Sequence, residues 1–331
     1  TERIAGLVLL TDAERSHTVL LAKSLSIPVL LCEEDNKIDC DTSCALLDAE
    51  TGCLTLDANE EDIKDAQRRM EAKERAHLPE QPADNSLANL YVNVNTMQES
   101  FDDRAALFCG IGLLRTEFLF ASQSGNVTEE EQMSAYGRIL KAFSPKPVTI
   151  RIFDTHAEKR NDDVTDAIIE TQLRALIRAS VNGSLTILIP MVKTSKEVQA
   201  WKQRLALTHE ALNKEGITGG TYRFGVMIET PEAVSQIDEI VHCVDAISIG
   251  SNDLLRALEG LGEAAGNQDA ALMEMIKQIV RAANAHEIPV CLCGDLATDE
   301  NQTQVLLKAG VANLSVPVQY LLRTRNISAD Y

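Results

Sequence analysis

Eight short apolar segments recur between residues 90 and 318, and stretches with helical patterning separate them. Apolar runs of this kind, alternating with helices, are typical of buried parallel strands. Eight strand-and-helix repeats in about 240 residues predict fold class α/β, with a C-terminal (β/α)8 TIM barrel. The predicted strands are 90–94, 110–114, 148–153, 185–192, 224–228, 246–249, 288–293 and 314–318.

The residues before the barrel predict a smaller unit and a connection. Residues 1–57 alternate short apolar runs with turns and end in a hairpin signal at Thr51-Gly52, which indicates a small, incomplete α/β domain. Residues 59–77 are mostly charged and helix-forming, and Pro79 begins a stretch that breaks this pattern. The predicted domains are 1–57, a linker helix and loop at 58–86, and the barrel at 87–331.

The charge balance and the cysteine spacing exclude several classes of protein. Lys and Arg number 31 against 50 Asp and Glu, and a net charge of −19 argues against a nucleic-acid partner. No apolar run approaches the roughly 18 residues that a membrane span needs. The eight cysteines show no paired CxxC spacing, which argues against zinc, and several lie in apolar runs. Buried free thiols indicate a reducing cytoplasmic environment.

Polar residues follow or end several predicted strands, where the active face of such a barrel forms. Arginines hold carboxylates and phosphates bidentately, whereas Glu and Asp suit a hard divalent cation. The set therefore predicts a pocket for a small phosphorylated acid bound through magnesium. Its members are Arg115, Glu117, Arg151, Asp154, Glu229, Asn252, Asp253, Cys293 and Asp295.

A second candidate site lies near the start of the chain. Ser16 is a plausible helix N-cap, and the apolar spacing after it predicts a helix that ends before Pro28. His17 would then lie beside the unpaired backbone N–H groups of the first turn, which stabilise an anion such as a phosphoryl group. A single histidine near a cap is more often an ordinary surface residue, so this pattern alone leaves both interpretations open.

Six motifs together resemble the Enzyme I family of phosphoenolpyruvate–protein phosphotransferases, which heads the bacterial sugar phosphotransferase system. Pyruvate phosphate dikinase and phosphoenolpyruvate synthase share the histidine domain and barrel, but RTEFLF and the nearby TEEEQ are more like Enzyme I. A dikinase or synthase fragment is therefore the less favoured alternative. The motifs are SHTVLLAKSLSIPV at 16–28 with Val29, GLLRTEFLF at 112–120, TEEEQ at 128–132, GVMIETP at 225–231, SIGSNDL at 248–254 and CGDLA at 293–297.

The resemblance implies a reaction and its catalytic residues. His17 would attack the phosphorus of phosphoenolpyruvate bound at the barrel mouth and pass the phosphoryl group to a small histidine phosphocarrier protein. Cys293 would protonate the enolate at carbon 3 to give pyruvate. The resemblance also implies that residues 1–57 are an incomplete, mobile phosphohistidine domain, that the linker at 58–86 acts as a hinge arm, and that the protein is a homodimer. No membrane partner is expected, because no apolar run is long enough to span a bilayer. The resemblance further implies that Glu229 and Asp253 bind Mg²⁺, that Arg115 and Arg151 bind the substrate phosphate, and that Asn252 contacts it.

Three departures from the family pattern motivate an alternative function. The family's helical insert for docking its carrier is missing, so we expect a truncated form. The loop after Arg151 is short, with Lys159 and Arg160 as its cations, and Glu263 stands near an expected phosphate-facing arginine. The alternative is a catalytically weakened regulatory or phosphoacceptor module that binds phosphoenolpyruvate.

Overall fold

The computed structural model describes residues 4–10, 22, 27–32, 44–49, 51–76, 88–94, 107–117, 127–154, 162–260, 265–321 and 324. Two compact units, residues 1–81 and 82–331, make up the chain. The functional assignments of segments 1–57 and 58–86 stay predictions. So do the predictions for four residues outside the described ranges, namely His17, Lys159, Arg160 and Glu263.

The first unit contains two small sheets. Strand β1 (Leu7–Leu10) pairs in parallel with β2 (Val29–Cys32). Strands β3 (Ala45–Asp48) and β4 (Cys53–Leu56) form an antiparallel hairpin, as the turn signal predicted. Gly52 has a φ of +68°, a conformation that glycine adopts without the steric cost of a side chain.

The charged segment after the hairpin forms helix α1 (Glu60–Ala76). Asn59 caps it, because its Oδ1 accepts the backbone N–H groups of Glu61 at 2.8 Å and Asp62 at 3.0 Å. The acidic first turn also complements the positive end of the helix dipole. The predicted helix is confirmed, and its role as a linker stays a prediction.

The second unit is a closed barrel of eight parallel strands, which confirms the predicted fold. Each strand pairs with the next along the chain, and β12 closes the barrel by pairing with β5. Strand β8 ends where Pro190 follows, because proline lacks the N–H that a ladder needs. The strands are β5 (Asn89–Val94), β6 (Ile111–Arg115), β7 (Val148–Arg151), β8 (Leu185–Ile189), β9 (Tyr222–Ile228), β10 (Ala246–Gly250), β11 (Val290–Cys293) and β12 (Asn313–Pro317).

Helices follow most of these strands and cover the outside of the barrel. Thr128 is the N-cap of the first of them and forms a capping box. Its Oγ1 accepts the backbone N–H of Glu131, and the Glu131 carboxylate accepts the backbone N–H of Thr128. The helices are α2 (Glu129–Phe143), α3 (Asp162–Ala179), α4 (Ser195–Lys214), α5 (Pro231–Ser235), α6 (Ile237–Ile240), α7 (Ser251–Gly260), α8 (Ala265–Ala285) and α9 (Glu300–Lys308).

The barrel strands are apolar because they are covered on both faces, by the barrel interior and by the helices. Ile111, Ile150, Ile187 and Val226, on four consecutive strands, are fully buried. Within the described part of the chain, no helix combines the length and apolar character needed to cross a membrane.

Candidate active site

Two arginines end neighbouring strands at the carboxyl side of the barrel. Arg115 is the last residue of β6, Arg151 is the last residue of β7, and the two are register partners. Glu117 lies two residues beyond β6 and accepts a hydrogen bond from Nη2 of Arg151 at 2.6 Å. The strand register therefore brings two cations and a carboxylate to one edge of the barrel, the face that carries the active site in such folds.

The charges of these side chains are perturbed by burial and by one another. Burial by itself lowers the pKa of Arg151, but the neighbouring charges of Glu117, Glu229 and Asp154 raise it above the ordinary value. Burial, followed by the positive charge of Arg151, lowers the pKa of Arg115. Arg151 is thus held as a permanent cation, and an anion placed between the arginines would relieve their mutual repulsion.

Three charged atoms in this cluster have no hydrogen-bond partner among the described residues. They are Nε of Arg151, Oε2 of Glu117 and Oε2 of Glu229, and all three are buried. A buried polar atom without a partner costs about 1–3 kcal/mol, and in native structures such atoms are few. The cluster therefore offers one donor and two acceptors to a bound ligand.

Glu229 follows β9 and is 2% exposed. Its Oε1 accepts the backbone N–H of Met191 at 2.7 Å. Burial raises the pKa of Glu229 to about 7, against the opposing effects of the Arg151 charge and the Met191 hydrogen bond. The negative charges of Asp253 and Asp154 contribute to this rise. A cation beside Oε2 would return this carboxyl to its ionised form.

Gly250 makes room for the Glu229 side chain. A Cβ atom at position 250 would lie 2.7 Å from Cβ of Glu229 and 2.8 Å from its Oε2. Both distances are shorter than van der Waals contact allows. The carboxylate can occupy its position only because β10 ends in a residue without a side chain.

Asn252 and Asp253 lie in the first turn of α7, directly after β10. Oδ1 of Asn252 accepts the backbone N–H of Asp295 at 3.0 Å, which ties this turn to the end of β11. Asp253 forms an ion pair with Arg256, and its side chain is 35% exposed. Asp253 is therefore the more accessible of the two predicted magnesium ligands.

The donor set fits a hard divalent cation. No three His, Cys, Asp or Glu side chains in the described ranges are grouped so that they could hold a metal ion without help. Mg²⁺ usually binds through one or two carboxylates together with waters and substrate phosphate oxygens, so a larger protein cage is not required. Glu229, with its unpartnered Oε2, and Asp253, whose charge raises the Glu229 pKa, meet this requirement.

Cys293 ends β11 and is 2% exposed. Its Sγ lies 3.2 Å from Oγ of Ser248 and donates to the backbone carbonyl of Ile249 at 3.5 Å. Burial raises the pKa of the Cys293 thiol, although the Ser248 hydrogen bond and the positive charge of Arg115 oppose the rise. The thiol is therefore protonated at neutral pH and can act as a proton donor.

The structure places the predicted barrel residues at the carboxyl ends of five strands, β6, β7, β9, β10 and β11, and the charged ones act on one another. Their catalytic, substrate-binding and metal-binding roles stay predictions. Sequence reasoning missed three residues that contact site side chains or their neighbours. Ser248 contacts the Cys293 thiol, Met191 donates its backbone N–H to Glu229, and Gln172 donates to Thr116, the residue after Arg115. Gln172 carried a usable signal, because it is an uncharged polar residue on the otherwise apolar face of α3, and it is fully buried.

Comparisons with known proteins show which family the chain belongs to. Residues 69–166 and 163–331 match the family described as PEP-utilising enzyme, PEP-binding domain. A phosphoenolpyruvate-protein phosphotransferase from Haloferax volcanii is 30% identical over 95% of this chain and 61% of its own length. One from Cupriavidus necator is 30% identical over 97% of this chain and 61% of its own.

A multiphosphoryl transfer protein from Rhodobacter capsulatus is also 30% identical, over 95% of this chain and 42% of its own length. The chain thus spans between two fifths and three fifths of the length of these relatives. The match to the family covers most of the chain, including every barrel strand and each barrel residue of the candidate site. The chain belongs to the family of PEP-utilising enzymes and carries its PEP-binding domain.

Proposed function

We propose that the chain transfers the phosphoryl group of phosphoenolpyruvate to His17 and then to a small histidine phosphocarrier protein. This would be the first step of a phosphotransferase system. The names of the relatives support this reaction class. The single observation that carries the proposal is the set of buried, unpartnered charged atoms on Arg151, Glu117 and Glu229 at the barrel mouth.

The barrel residues other than Cys293 would hold the substrate and its metal ion. The unpartnered Nε of Arg151 would donate to a phosphate oxygen, and Arg115 would supply the second positive charge. Asn252 would contact the same group from the start of α7. Mg²⁺, held by Glu229 and Asp253, would neutralise the charge that develops on the transferring phosphoryl group.

The chemistry divides between a nucleophile and a proton donor. A neutral ring nitrogen of His17 forms a bond to phosphorus as the bond from phosphorus to the enol oxygen breaks, and the electron pair leaves with the enolate of pyruvate. Cys293 then gives its thiol proton to carbon 3 of the enolate. Solvent restores the proton to the resulting thiolate. The raised pKa of Cys293 supports this role because the donor must carry a proton before the reaction.

The test is incubation of the full chain with ³²P-labelled phosphoenolpyruvate and Mg²⁺, followed by peptide mapping. We expect acid-labile label on His17 and one pyruvate released per phosphoryl group. A His17→Ala variant should take up no label. The control His209→Ala changes a histidine outside the site, whose ring centroid lies 5.8 Å from that of Tyr222, and should label normally. A folded wild-type chain that takes up no label would overturn the proposal.

A second candidate is a regulatory module that binds phosphoenolpyruvate without turnover, favoured by the short loop after Arg151 and by Glu263. Calorimetric binding of phosphoenolpyruvate with no pyruvate release would select it. We also propose a cytoplasmic homodimer, and the seven free cysteines in the described ranges agree with a reducing compartment. Sedimentation at several protein concentrations tests the dimer.

A further inference from the structure

Arg151 is held at both its backbone and its guanidinium by the two residues that follow Arg115. Thr116 donates from Oγ1 to the backbone carbonyl of Arg151 at 2.9 Å. Glu117 accepts from the guanidinium Nη2 at 2.6 Å. Nη1 of Arg151 contacts Sδ of Met227 at 3.9 Å, so both terminal nitrogens are held, while Nε has no hydrogen-bond partner among the described residues. The plane of the guanidinium is therefore fixed before any substrate arrives.

A buried network holds Thr116 in turn. The side-chain amide of Gln172, on α3, donates to Oγ1 of Thr116 at 3.0 Å and to the hydroxyl of Tyr136 at 3.1 Å. Its Oε1 accepts the backbone N–H of Phe153 at 2.8 Å, so one amide joins the residues that follow β6 to those that follow β7. Thr116, Tyr136 and Gln172 are all fully buried.

The direction of every hydrogen bond in this network is determined. The Thr116 hydroxyl gives its single proton to Arg151, and the Tyr136 hydroxyl gives its proton to Oε1 of Gln132 at 3.1 Å. Both hydroxyls then accept from Gln172, whose two N–H groups are both used. A fully satisfied buried network contributes mainly rigidity and a unique geometry, because its net effect on stability is small.

We propose that Thr116, Glu117 and Gln172 are positioning residues that fix the Arg151 guanidinium for an incoming phosphate. Thr116 and Gln172 set where the end of β7 lies, and Glu117 sets the orientation of the guanidinium. The identity of the anion rests on the proposed function, whereas the restraint on Arg151 does not. A misplacement of about 1 Å at such a contact costs on the order of 100-fold in rate.

The restraint is tested first without substrate. In the Glu117→Gln variant, NMR should show faster rotation of the Arg151 guanidinium, with its resonance assigned through Arg151→Lys. In the Thr116→Val variant, hydrogen exchange of the Phe153 amide should quicken at least about tenfold, because Gln172 loses one of its acceptors. Unchanged rotation in the first variant and unchanged exchange in the second would overturn the inference.

Substrate binding is tested next, by calorimetry with phosphoenolpyruvate and Mg²⁺. We expect Thr116→Val and Glu117→Gln to weaken binding about tenfold or more, and Thr116→Ser, which keeps the hydroxyl, to restore most of it. The matched control is Thr208→Val, since Thr208 is equally buried but bonds Glu170 on the outer helices, and its affinity should match wild type.

The two sets of results separate this inference from the proposed function. If the wild-type chain binds no phosphoenolpyruvate but Glu117→Gln still frees the guanidinium, the proposed function fails and the positioning of Arg151 stands. If the wild-type chain binds phosphoenolpyruvate and the affinities of Thr116→Val, Glu117→Gln and Thr208→Val all equal the wild-type affinity, the positioning role is wrong.

Discussion

Two arginine–glutamate clusters in the barrel unit have similar ion-pair distances, but they differ in whether their buried charged atoms have hydrogen-bond partners. On the outside, Arg174 and Arg178 both bind Glu129, at 2.7 Å and 2.6 Å, and Arg174 also reaches Glu215 at 2.7 Å. At the mouth, Arg151 binds Glu117 at 2.6 Å. The outer cluster satisfies its charged atoms, whereas the mouth leaves Nε of Arg151 and Oε2 of Glu117 without described partners.

The difference separates an ion pair that joins helices from one that is suited to bind a ligand. The outer cluster connects α2, α3 and the end of α4, and its arginines are 17–19% exposed. The mouth pair is similarly shielded, yet it keeps unfilled donors and acceptors, which lowers the stability of the chain by itself. The unpartnered buried atoms, more than the perturbed charge alone, mark Arg151 as the candidate ligand-binding arginine.

The largest expected effect comes from substituting one arginine of each cluster in separate variants, which tests whether the two clusters differ in function. Arg151→Lys keeps the charge but loses the planar, bidentate donor set, so we expect His17 labelling to slow about 100- to 1,000-fold. Arg174→Lys should leave labelling within about twofold and change the free energy of unfolding by no more than about 1 kcal/mol. Equal labelling rates in the two variants would contradict the distinction.

The next effect concerns the pH dependence of stability. Glu229 has a folded-state pKa of about 7 against an ordinary 4.5, so the folded chain binds the proton more tightly than the unfolded chain. Its contribution to stability is fully present below about pH 4.5 and is lost as pH rises through 7. At 1.36 kcal/mol per pKa unit, the complete loss is on the order of 3 kcal/mol.

Urea unfolding at pH 5 and pH 8 measures this loss. Relative to wild type, Glu229→Gln should show a weaker decline in stability between the two pH values. Mg²⁺ should also flatten the wild-type decline, because a cation favours the ionised carboxylate. A variant with the same decline as wild type would show that Glu229 does not titrate in this range.

A third comparison uses two cysteines. Cys293→Ser should slow pyruvate formation about 100-fold, because a serine hydroxyl is a much weaker acid than the protonated thiol. Cys243→Ser changes a cysteine on the outside of the barrel, where its Sγ accepts from Gln199 at 3.7 Å, and should leave the rate unchanged. Deuterium incorporation into the pyruvate methyl group in D₂O measures the same step. Equal rates would exclude Cys293 as the donor.

The smallest expected effect comes from two glycines. Gly250→Ala places a methyl group against the Glu229 side chain and should destabilise the fold by about 1–3 kcal/mol. In Gly260→Ala, no atom of the described residues lies within 4 Å of the new Cβ, so the change should be neutral or stabilise by about 0.5–1 kcal/mol. Thermal unfolding measures both, and a neutral Gly250→Ala would show that Glu229 can move away without cost.

Much of the fold could be predicted from the sequence because its signals are local. Apolar runs fix where buried strands form, Pro190 ends one of them, and Gly52 permits the turn of the hairpin. The alternation of strands and helices then leaves a parallel barrel as the simplest closed arrangement. Six of the eight strands end within one residue of the predicted position, whereas β7 ends two residues and β8 three residues before it. The carboxyl face that carries the polar residues was also predictable.

The sequence by itself therefore determined the barrel and which polar residues lie at the carboxyl ends of its strands. Only the tertiary structure decided which of their polar atoms have hydrogen-bond partners. Arg151 pairs with Glu117 only because two strand ends meet. Gln172 likewise reaches from α3 to the ends of β6 and β7. Hydrogen bonds are directional and short-ranged, so their pairing follows from atomic positions that residue patterns do not encode.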